Sequence, residues 1–476
     1  MSDSSYIPTI GLEIHAELAT KTKMFCSCAN DSEATEPNSN VCPVCLAHPG
    51  TLPTVNRLAV KHVLRVGVAL GADIATKYSE FDRKSYFYPD IPKGYQISQF
   101  AYPFVSGGTL SGVAITRVHL EEDTARSTHM QNESLVDFNR AGVPLMELVT
   151  EPVIHDAVTA VTFARELQLL LRTLGVSKAN LEKGEMRIEA NISVSKNDTL
   201  GTKVEVKNLN SFRSVERAIA FEIDRQITAY ENGKEVVQET RGWNEGTQKT
   251  FHQRFKEGSA DYRYFPEPDI PKMVLEEIEE FLPDVLKKAL PELPWEKRKR
   301  YKDEYGLKPD DIVYMVATSD RSTFFEAVAK ELKQDKALVQ LMVNYMVSDM
   351  AGWYAKSDVE EYVEISPNAV AQLMQMVARN EVSSRGAKDI LEILLNEKSD
   401  DPQRIARDKS LLQTQDEDAL ARIVDAVLKA HPQQVEEFKN GKESVVQFLI
   451  GQSMKEAKGS GNPARFKEIL LAILRT

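Results

Sequence analysis

The chain has 476 residues, of which 42% are hydrophobic and 27% charged, an ordinary composition for a globular protein of two or three domains. A net charge of −12 argues against indiscriminate binding to a polyanion, which needs a basic surface, but it leaves room for local basic patches. The first residues show no basic region followed by an apolar run, and no later segment has the length of a membrane span, so we expect a cytoplasmic protein.

The first predicted element is a strand, Ile10-Gly11-Leu12-Glu13-Ile14-His15, in which apolar and polar residues alternate. Residues two apart in a strand share a face, so Glu13 and His15 point one way while Leu12 and Ile14 point to the core. The pattern therefore predicts one strand face that carries a carboxylate and an imidazole.

All four cysteines follow within the first tenth of the chain, as Cys26-Ser27-Cys28 and Cys42-Pro43-Val44-Cys45. Two close pairs separated by a short loop can converge on one tetrahedral metal, so the spacing favours a structural zinc site formed by Cys26, Cys28, Cys42 and Cys45. Core thiols or two disulfides are the alternatives, and the first pair is tighter than the usual C-x2-C. Four thiolates leave zinc no open position, so we expect the catalytic chemistry elsewhere.

Further strands with one polar face are predicted along the first 293 residues, with helices between them. The strands are Arg117–Glu121, Met186–Val194 and Lys203–Lys207, and the helices are Ala157–Leu174 and Ser214–Tyr230. This mixture predicts an α+β domain with a largely antiparallel sheet.

The polar faces of these strands carry the candidate chemistry. Arg187, Glu189, Asn191 and Ser193 share one face, Lys203, Glu205 and Lys207 share another, and His119-Leu120-Glu121-Glu122-Asp123 ends a third strand. If these strands are neighbours, the faces gather the oxygen ligands and positive charges that a Mg²⁺-dependent phosphoryl-transfer site requires. Polar faces that only meet water are the alternative, and periodicity alone leaves it open.

The pattern changes near residue 293. The proline-rich segments Phe265–Pro271 and Leu290–Pro294 are predicted to form an extended linker. Apolar residues then recur at helical spacing in Ser322–Val347, Pro367–Val377, Ala387–Leu395, Glu417–Ala430 and Ser444–Ala457. Two basic patches, Trp295–Lys302 and Lys455–Arg475, are candidate polyanion contacts or simply solvated helix faces.

Familiar nucleotide-binding signatures are missing: there is no G-x4-G-K-[ST], no G-x-G-x-x-G after a strand and no kinase motif set. Two turns, Tyr88–Gln96 and Asn139–Pro144, combine proline or glycine with basic or aromatic side chains. Such turns can hold a phosphate or a base, or they can be ordinary loops.

Taken together, long segments of this sequence resemble the GatB-type subunits of the aspartyl/glutamyl-tRNA amidotransferase family over nearly the full length. The segments that carry the resemblance, in chain order, are Gly11–Leu18, Phe25–Cys28, Cys42–Leu46, Tyr86–Gln99, His119–Asp123, Asp137–Leu148, Lys207–Phe212, Asp261–Pro266, Phe448–Lys455 and Lys458–Pro463. The resemblance implies a cradle-like catalytic domain, a helical domain and a tRNA-binding helical tail. The sequence pattern predicts their bounds as 1–293, 294–400 and 401–476.

The resemblance also implies an activity. In this family, the GatB-type subunit uses ATP and Mg²⁺ to phosphorylate the side-chain carboxylate of Glu on tRNA(Gln) or Asp on tRNA(Asn), and ammonia then displaces phosphate. The implied metal and catalytic residues are Glu13, His15, Glu122, Glu189 and Glu205. Where the family usually has Met-Arg-Cys-Asp-Ala-Asn, this chain has Met186-Arg187-Ile188-Glu189-Ala190-Asn191, so the carboxylate of Glu189 sits one methylene farther out.

The ammonia has to come from a partner. The sequence has no Gly-Ser-Ser-rich amidase loop, and zinc is expected to occupy every cysteine, so no thiol is left for glutaminase chemistry. The resemblance implies an amidase subunit that supplies ammonia from glutamine and a small third subunit that wraps the pair. A different hypothesis is a zinc-stabilised module that binds RNA and does no chemistry.

Overall fold

The computed structural model describes residues 6–197, 199–255, 262–357, 362, 365–413, 416–457 and 461–475. The chain divides into two compact units, Met1–Pro294 and Trp295–Thr476. Three parts of the sequence discussed above lie outside the described residues: the N-terminal Met1–Ser5, and, in two of the motifs, Asp261 and Lys458–Ser460. The division into 1–293, 294–400 and 401–476 stays a prediction.

The first unit contains fifteen strands and four helices among its described residues. The strands are Ile7–Glu17 (β1), Asp73–Ile74 (β2), Asp82–Ser85 (β3), Tyr95–Ser98 (β4), Val105–Ser106 (β5), Thr109–Leu110 (β6), Val113–Glu122 (β7), Arg126–His129 (β8), Ser134–Asp137 (β9), Pro144–Thr150 (β10), Met186–Ser195 (β11), Val204–Leu209 (β12), Glu239–Asn244 (β13), Lys249–Phe255 (β14) and Phe265–Pro266 (β15). The helices are Arg57–Ala69 (α1), Ala157–Thr173 (α2), Phe212–Glu231 (α3) and Pro283–Lys288 (α4).

A ten-stranded sheet organises this unit. Its order is β14-β13-β12-β11-β1-β10-β7-β5-β2, with β6 also paired to β7. β12 and β13 run parallel, and the other strand pairs described in this sheet are antiparallel. A three-stranded sheet, β15-β3-β4, and the hairpin β8-β9 complete the β structure. The predicted α+β class with a largely antiparallel sheet is confirmed.

The core forms on the apolar face of the large sheet. In β1, Ile10, Leu12, Ile14 and Ala16 are at most 1% exposed, and they alternate with the less buried Gly11, Glu13, His15 and Glu17. Helices α2 and α3 pack against each other, and α3 also packs on β11 and β12. Burial on one face therefore fixes which face of β1 carries Glu13 and His15.

The predicted linker is wrong for Phe265–Pro271. Phe265 and Pro266 pair with Arg83 and Asp82 of β3. The carboxylate of Glu267 is fully buried and accepts two hydrogen bonds from Arg83, at 2.7 and 2.8 Å. The prolines did not exclude a strand here because β15 lies at the edge of its sheet, where a residue without an N–H is tolerated.

The second unit is helical. Its helices, beginning at the junction between the units, are Pro294–Arg300 (α5), Pro309–Val316 (α6), Ser319–Glu331 (α7), Lys336–Tyr345 (α8), Ala351–Tyr354 (α9), Pro367–Ala378 (α10), Ser384–Glu397 (α11), Pro402–Asp408 (α12), Glu417–Ala430 (α13), Pro432–Lys439 (α14), Val445–Glu456 (α15) and Pro463–Leu474 (α16). Shorter helical turns lie at Leu275–Glu277, Glu279–Phe281, Tyr301–Tyr305 and Met346–Met350. No helix of the described residues is long and apolar enough to cross a membrane.

One predicted helical segment, Ser322–Val347, is broken in the structure. Lys333 and Gln334 have φ angles of 52° and 58°, and residues in this left-handed region cannot continue a right-handed helix. Asp335 then caps α8 by accepting hydrogen bonds from the N–H groups of Ala337 and Leu338. The apolar spacing continues across the break, which is why periodicity alone did not detect it.

If Phe265–Asp269 is part of the folded unit, the buried contact of Glu267 with Arg83 must contribute to stability. We expect Glu267→Ala to lower the free energy of unfolding by about 2 kcal/mol, because it leaves the partly buried guanidinium of Arg83 without its main partner. Asp269→Ala is the matched control: it contacts the same guanidinium at 3.0 Å but is more exposed, so its cost should be below about 1 kcal/mol. Urea unfolding of both variants would measure these free energies. Equally small losses of stability in the two variants would contradict the inclusion of Phe265–Asp269 in the folded unit.

Candidate active site

A row of charged side chains crosses four neighbouring strands on the polar face of the large sheet. Strand register places Arg187 of β11 opposite His15 of β1, His15 opposite Glu147 of β10, and Glu147 opposite His119 of β7. Side chains directly opposite each other share a face and lie close together. The antiparallel register thus brings together residues that lie far apart in the sequence.

Two histidines and two carboxylates form a buried quartet within this row. The Nε2 atom of His15 lies 3.3 Å from Glu147 Oε2 and 3.6 Å from Glu121 Oε1, and His119 Nε2 lies 3.3 Å from the same Glu147 oxygen. Ser98 donates a hydrogen bond to Glu121. The close approach of imidazole nitrogens and carboxylate oxygens compensates part of the cost of removing these groups from water.

The pKa values of the quartet follow from these contacts. Burial disfavours the charged form of His15, but the hydrogen bond and charge of Glu147, with Glu121 nearby, raise its pKa to about 9. The pKa of His119 is raised against burial by Glu147 and Glu121. The pKa of Glu147 is correspondingly held well below its usual range despite its burial, chiefly by His119. His15 is therefore a cation at neutral pH in the metal-free protein.

Beside the quartet lies a group of three carboxylates, Glu13, Glu189 and Glu205. Glu13 and Glu189 are opposite each other in β1 and β11, and one oxygen of each of the three residues lies within 4.8 Å of the others. Lys207 Nζ lies 2.8 Å from Glu189 and 3.9 Å from Glu205. Burial, followed by repulsion from Glu147 and Glu189, raises the pKa of Glu13 to about 7.

The three carboxylates suit a divalent cation. Asn191, directly opposite Glu205, has a buried side-chain oxygen with no hydrogen-bond partner among the described residues. Carboxylate and amide oxygens are the ligands that Mg²⁺ prefers, and a cation would relieve the repulsion that raises the pKa of Glu13. His15 and Glu147 form a further group with Glu13 in which the ligand atoms lie within 4.8 Å.

A cavity of about 450 Å³ opens over these groups. Its lining includes three carboxylates and five basic residues, Glu13, Glu147, Glu205, Lys84, Arg117, Lys203, Lys207 and Arg254. Lys84 Nζ lies 5.1 Å from the ring centroid of Tyr262 and 5.9 Å from that of Tyr86. Although burial opposes it, the charge of Glu121 in particular raises the pKa of Lys84 well above its usual value. The cavity can thus receive a ligand that carries negative charge together with a divalent cation.

The structure brings four of the five sequence-predicted residues together: Glu13, His15, Glu189 and Glu205. It does not bring Glu122 to them, since none of the metal-ligand groups found among the described residues includes it. Alternation along β7 turns Glu122 away from Glu121, and its carboxylate instead binds Lys93 Nζ at 2.7 Å and the N–H of Ile97 at 3.0 Å. Glu122 lines a separate cavity beside the cysteines.

Three residues of the site were not among the candidates from the sequence: Glu147, Lys84 and Arg254. Glu147 is a lone carboxylate in the otherwise apolar strand Pro144–Thr150, and a charge in such a run is a signal that could have been used. Lys84 lies in Asp82-Arg83-Lys84-Ser85, where polar residues occupy both faces of the strand, so the pattern gives no indication of which one faces the site.

The four cysteines converge as a possible metal site. All four are free thiols, and their sulfur atoms lie within 4.8 Å of one another. A tetrahedral zinc with Zn–S bonds of about 2.3 Å separates its sulfur ligands by roughly 3.8 Å, and Cys42 Sγ lies 3.8 Å from Cys45 Sγ. A hydrogen bond from the Cys26 thiol lowers the pKa of Cys45, helped by the backbone N–H of Cys42 and by the charge of Lys23.

Comparison with known proteins gives two family matches and a set of close relatives. The profile described as "GatB/GatE catalytic domain" matches residues 8–279, and the profile described as "GatB domain" matches residues 323–474. Proteins named as B-subunits of aspartyl/glutamyl-tRNA(Asn/Gln) amidotransferase are similar over almost the whole chain. The one from Thermus thermophilus is 42% identical, covering 98% of this chain and 99% of the relative, and the one from Persephonella marina has the same identity and coverage. That from Crocosphaera subtropica is 40% identical, covering 97% and 96%.

The pKa values predict how divalent-metal binding depends on pH. A proton on Glu13 competes with the cation, so we expect the dissociation constant for Mn²⁺ to fall about tenfold per pH unit up to pH 7 and then to level off. Titration calorimetry of zinc-loaded protein between pH 5.5 and 9.5 would measure it. Glu13→Gln should weaken binding and remove the dependence below pH 7. If the dissociation constant for Mn²⁺ keeps falling up to pH 9, the pKa of His15, then His15 is a ligand as well.

Proposed function

This chain belongs to the GatB/GatE family, and we propose that it is the subunit of a tRNA-dependent amidotransferase that activates and amidates an amino acid attached to tRNA. Its substrates in this proposal are Asp on tRNA(Asn), Glu on tRNA(Gln) or both, as the names of its relatives indicate. Translation on these tRNAs and the need for reduced thiols favour a cytoplasmic protein.

The observation that carries the proposal is the cavity whose lining combines carboxylates with lysine and arginine side chains. A γ-phosphoryl group needs positive charge around its oxygens and a divalent cation nearby. Lys84, Arg254 and Lys207 supply positive charge in the lining, while Glu13, Glu189 and Glu205 offer oxygen ligands. We assign ATP and the substrate carboxylate to this cavity. Mg²⁺, when bound by the three carboxylates, would neutralise charge on the phosphate groups.

The proposed reaction has two steps. An oxygen of the substrate carboxylate attacks the γ-phosphorus of ATP, the bond to the β,γ-bridging oxygen breaks, and ADP leaves. The nitrogen of ammonia then attacks the carbonyl carbon, the C–O bond to phosphate breaks, and the amide forms with release of inorganic phosphate and one proton. Conversion of a poor leaving group into phosphate divides one difficult displacement into two easier ones.

The chain's own residues prepare the site for this chemistry. Glu147 and Glu121 raise the pKa of His15 to about 9, so His15 presents a fixed positive charge next to Glu13. Charges that are already oriented need no reorganisation when negative charge develops on the phosphoryl group. Ammonia in this proposal comes from an amidase partner subunit, within a complex that also contains a small third subunit.

The four cysteines are proposed to hold a structural zinc ion. Sulfur-only ligands at tetrahedral spacing suit zinc, and four protein ligands leave no coordination position for a substrate. The catalytic role therefore falls to the oxygen site on the sheet.

Two glutamates of the large sheet, one at each cavity, test the site assignment. In the reconstituted complex, Glu13→Gln should lower tRNA-dependent ADP release about 10²- to 10³-fold, because it removes an oxygen ligand where charge develops. Glu122→Gln should retain ADP release, since its carboxylate faces away from the cavity and binds Lys93. Both would be assayed with ammonium chloride in place of glutamine. Equal losses of ADP release in the two variants would indicate that Glu122 also belongs to the metal site. Full activity of Glu13→Gln would favour a module that only binds RNA.

The C-terminal helices are proposed to bind tRNA. Helices α13, α15 and α16 share a core that includes Leu420, Leu449 and Phe466, each at most 1% exposed. Helix α12, by contrast, packs against α10 and α11, so we place the start of the tail after it rather than at residue 401. The exposed basic residues Lys455 and Lys467 lie on α15 and α16 and are proposed to contact phosphate groups, whereas Arg465 is ion-paired with Glu417 and Glu468.

Removal of residues 414–476 tests the tail. Because the tail has its own core, the truncated chain should stay folded, and its affinity for tRNA should fall at least tenfold with a smaller dependence on salt. Filter binding at two salt concentrations would measure both, and amidation at saturating tRNA should persist. Unchanged affinity and salt dependence would exclude the tail as a tRNA contact.

A further inference from the structure

Lys23 is a fully buried lysine whose surroundings single it out. Its side chain is 0% exposed, and its ammonium group lies 3.2 Å from the carbonyl oxygen of Phe138 and 3.9 Å from Cys45 Sγ. It has no ion pair with a carboxylate among the described residues. A buried ammonium is costly unless polar or negatively charged groups surround it, and Cys45 is the ionisable side chain that it contacts.

A zinc-loaded cluster would supply that charge. Four thiolates and one Zn²⁺ carry a net charge of −2, which is itself unfavourable in a buried position. The backbone N–H of Cys42 donates to Cys45 Sγ at 3.1 Å, and Lys23 adds a full positive charge next to the same sulfur. The lysine and the metal cluster thus compensate each other.

Lys23 also links the cluster to a turn of the large sheet. Phe138, whose carbonyl it contacts, begins the turn Phe138–Gly142 that leads into β10. The neighbouring Met24 donates its N–H to the carbonyl of Gly142 at 2.7 Å. Gly142 has a φ of 84°, and a Cβ there would lie 3.6 Å from both Cys45 Cβ and Lys23 Cδ. The turn therefore packs directly on the lysine stem and the cysteine.

We propose that Lys23 is a positioning residue of the four-cysteine site. Its positive charge helps the cysteines to retain their divalent metal, and its contact with Phe138 couples metal occupancy to the Phe138–Gly142 turn. The proposal rests on the assignment of a zinc-class metal to the cysteines. The competing explanation is that the lysine stem only fills space between the cysteine loop and the turn.

Charge and space-filling are separated by two substitutions at one position. Lys23→Met keeps the length of the stem and removes the charge, whereas Lys23→Arg keeps the charge. We expect the full-length, zinc-loaded Lys23→Met protein to release zinc to a chelating dye about 10- to 100-fold faster than the unsubstituted protein, and Lys23→Arg to remain within about threefold. Equal retention in Lys23→Met, or equal loss in both variants, would overturn the proposal.

Limited trypsin digestion measures whether metal occupancy affects the Phe138–Gly142 turn. The turn contains one trypsin site, Arg140, which is partly buried. Cleavage after Arg140 should be faster in zinc-stripped protein and also in zinc-loaded Lys23→Met than in the zinc-loaded unsubstituted protein. Unchanged cleavage on zinc removal would refute the coupling.

The metal assignment itself is checked first, by metal analysis of the unsubstituted protein. Failure to bind one zinc per chain would reject the zinc site, and with it the proposed role of Lys23. Normal zinc binding without an effect of Lys23→Met would reject the role of Lys23 alone. If Lys23→Met does not fold, Lys23→Gln replaces it as the uncharged variant: faster zinc release than from Lys23→Arg supports the proposal, and equal release from the two overturns it.

Discussion

The site depends on the register of β1 between β10 and β11. This register sets Glu13 opposite Glu189 and His15 opposite Glu147. A slip of one residue would send both side chains to the apolar face and bring Leu12 and Ile14 to the polar one. The burial of Ile10, Leu12, Ile14 and Ala16, each at most 1% exposed, opposes such a slip. Core packing on one face therefore determines the electrostatics of the other.

That arrangement places several charges out of water, and the structure balances them in two different ways. Around His15, Glu147 and Glu121 raise the pKa of the imidazole to about 9 against the effect of burial, so these carboxylates face a cation of the protein itself. Around Glu13, Lys207 pairs with Glu189 and Glu205, while burial and then repulsion from Glu147 and Glu189 raise the pKa of Glu13. The first group acts as a fixed scaffold, and the second, which has more carboxylates than cations, is suited to gain a metal ion.

The sequence could predict only those features of the site that depend on neighbouring residues within one strand. Alternation is local, so it correctly put Glu13 and His15 on one face and Glu189 on a polar face. Register is not local, and Glu147 was missed because only pairing with β1 shows that it meets His15. Glu121 and Glu122 are adjacent in sequence, yet the same alternation that identified Glu13 separates them. The grouping of Glu122 with the site came from the family resemblance and not from strand geometry.

The cysteine cluster contributes to the same constraint from the other end of the strands. β7 and β10 are joined at their adjacent ends by bonds between Asp123 and the turn, with Asp123 donating to Val143 and Gly142 donating to Asp123. The carbonyl of Gly142 in turn accepts from Met24, two residues before Cys26. A metal that closes the cysteine loop would hold this junction, and the junction ends the two strands that carry His119 and Glu147. A chemically closed metal site can thus support catalysis by fixing the alignment of strands whose register creates the open one.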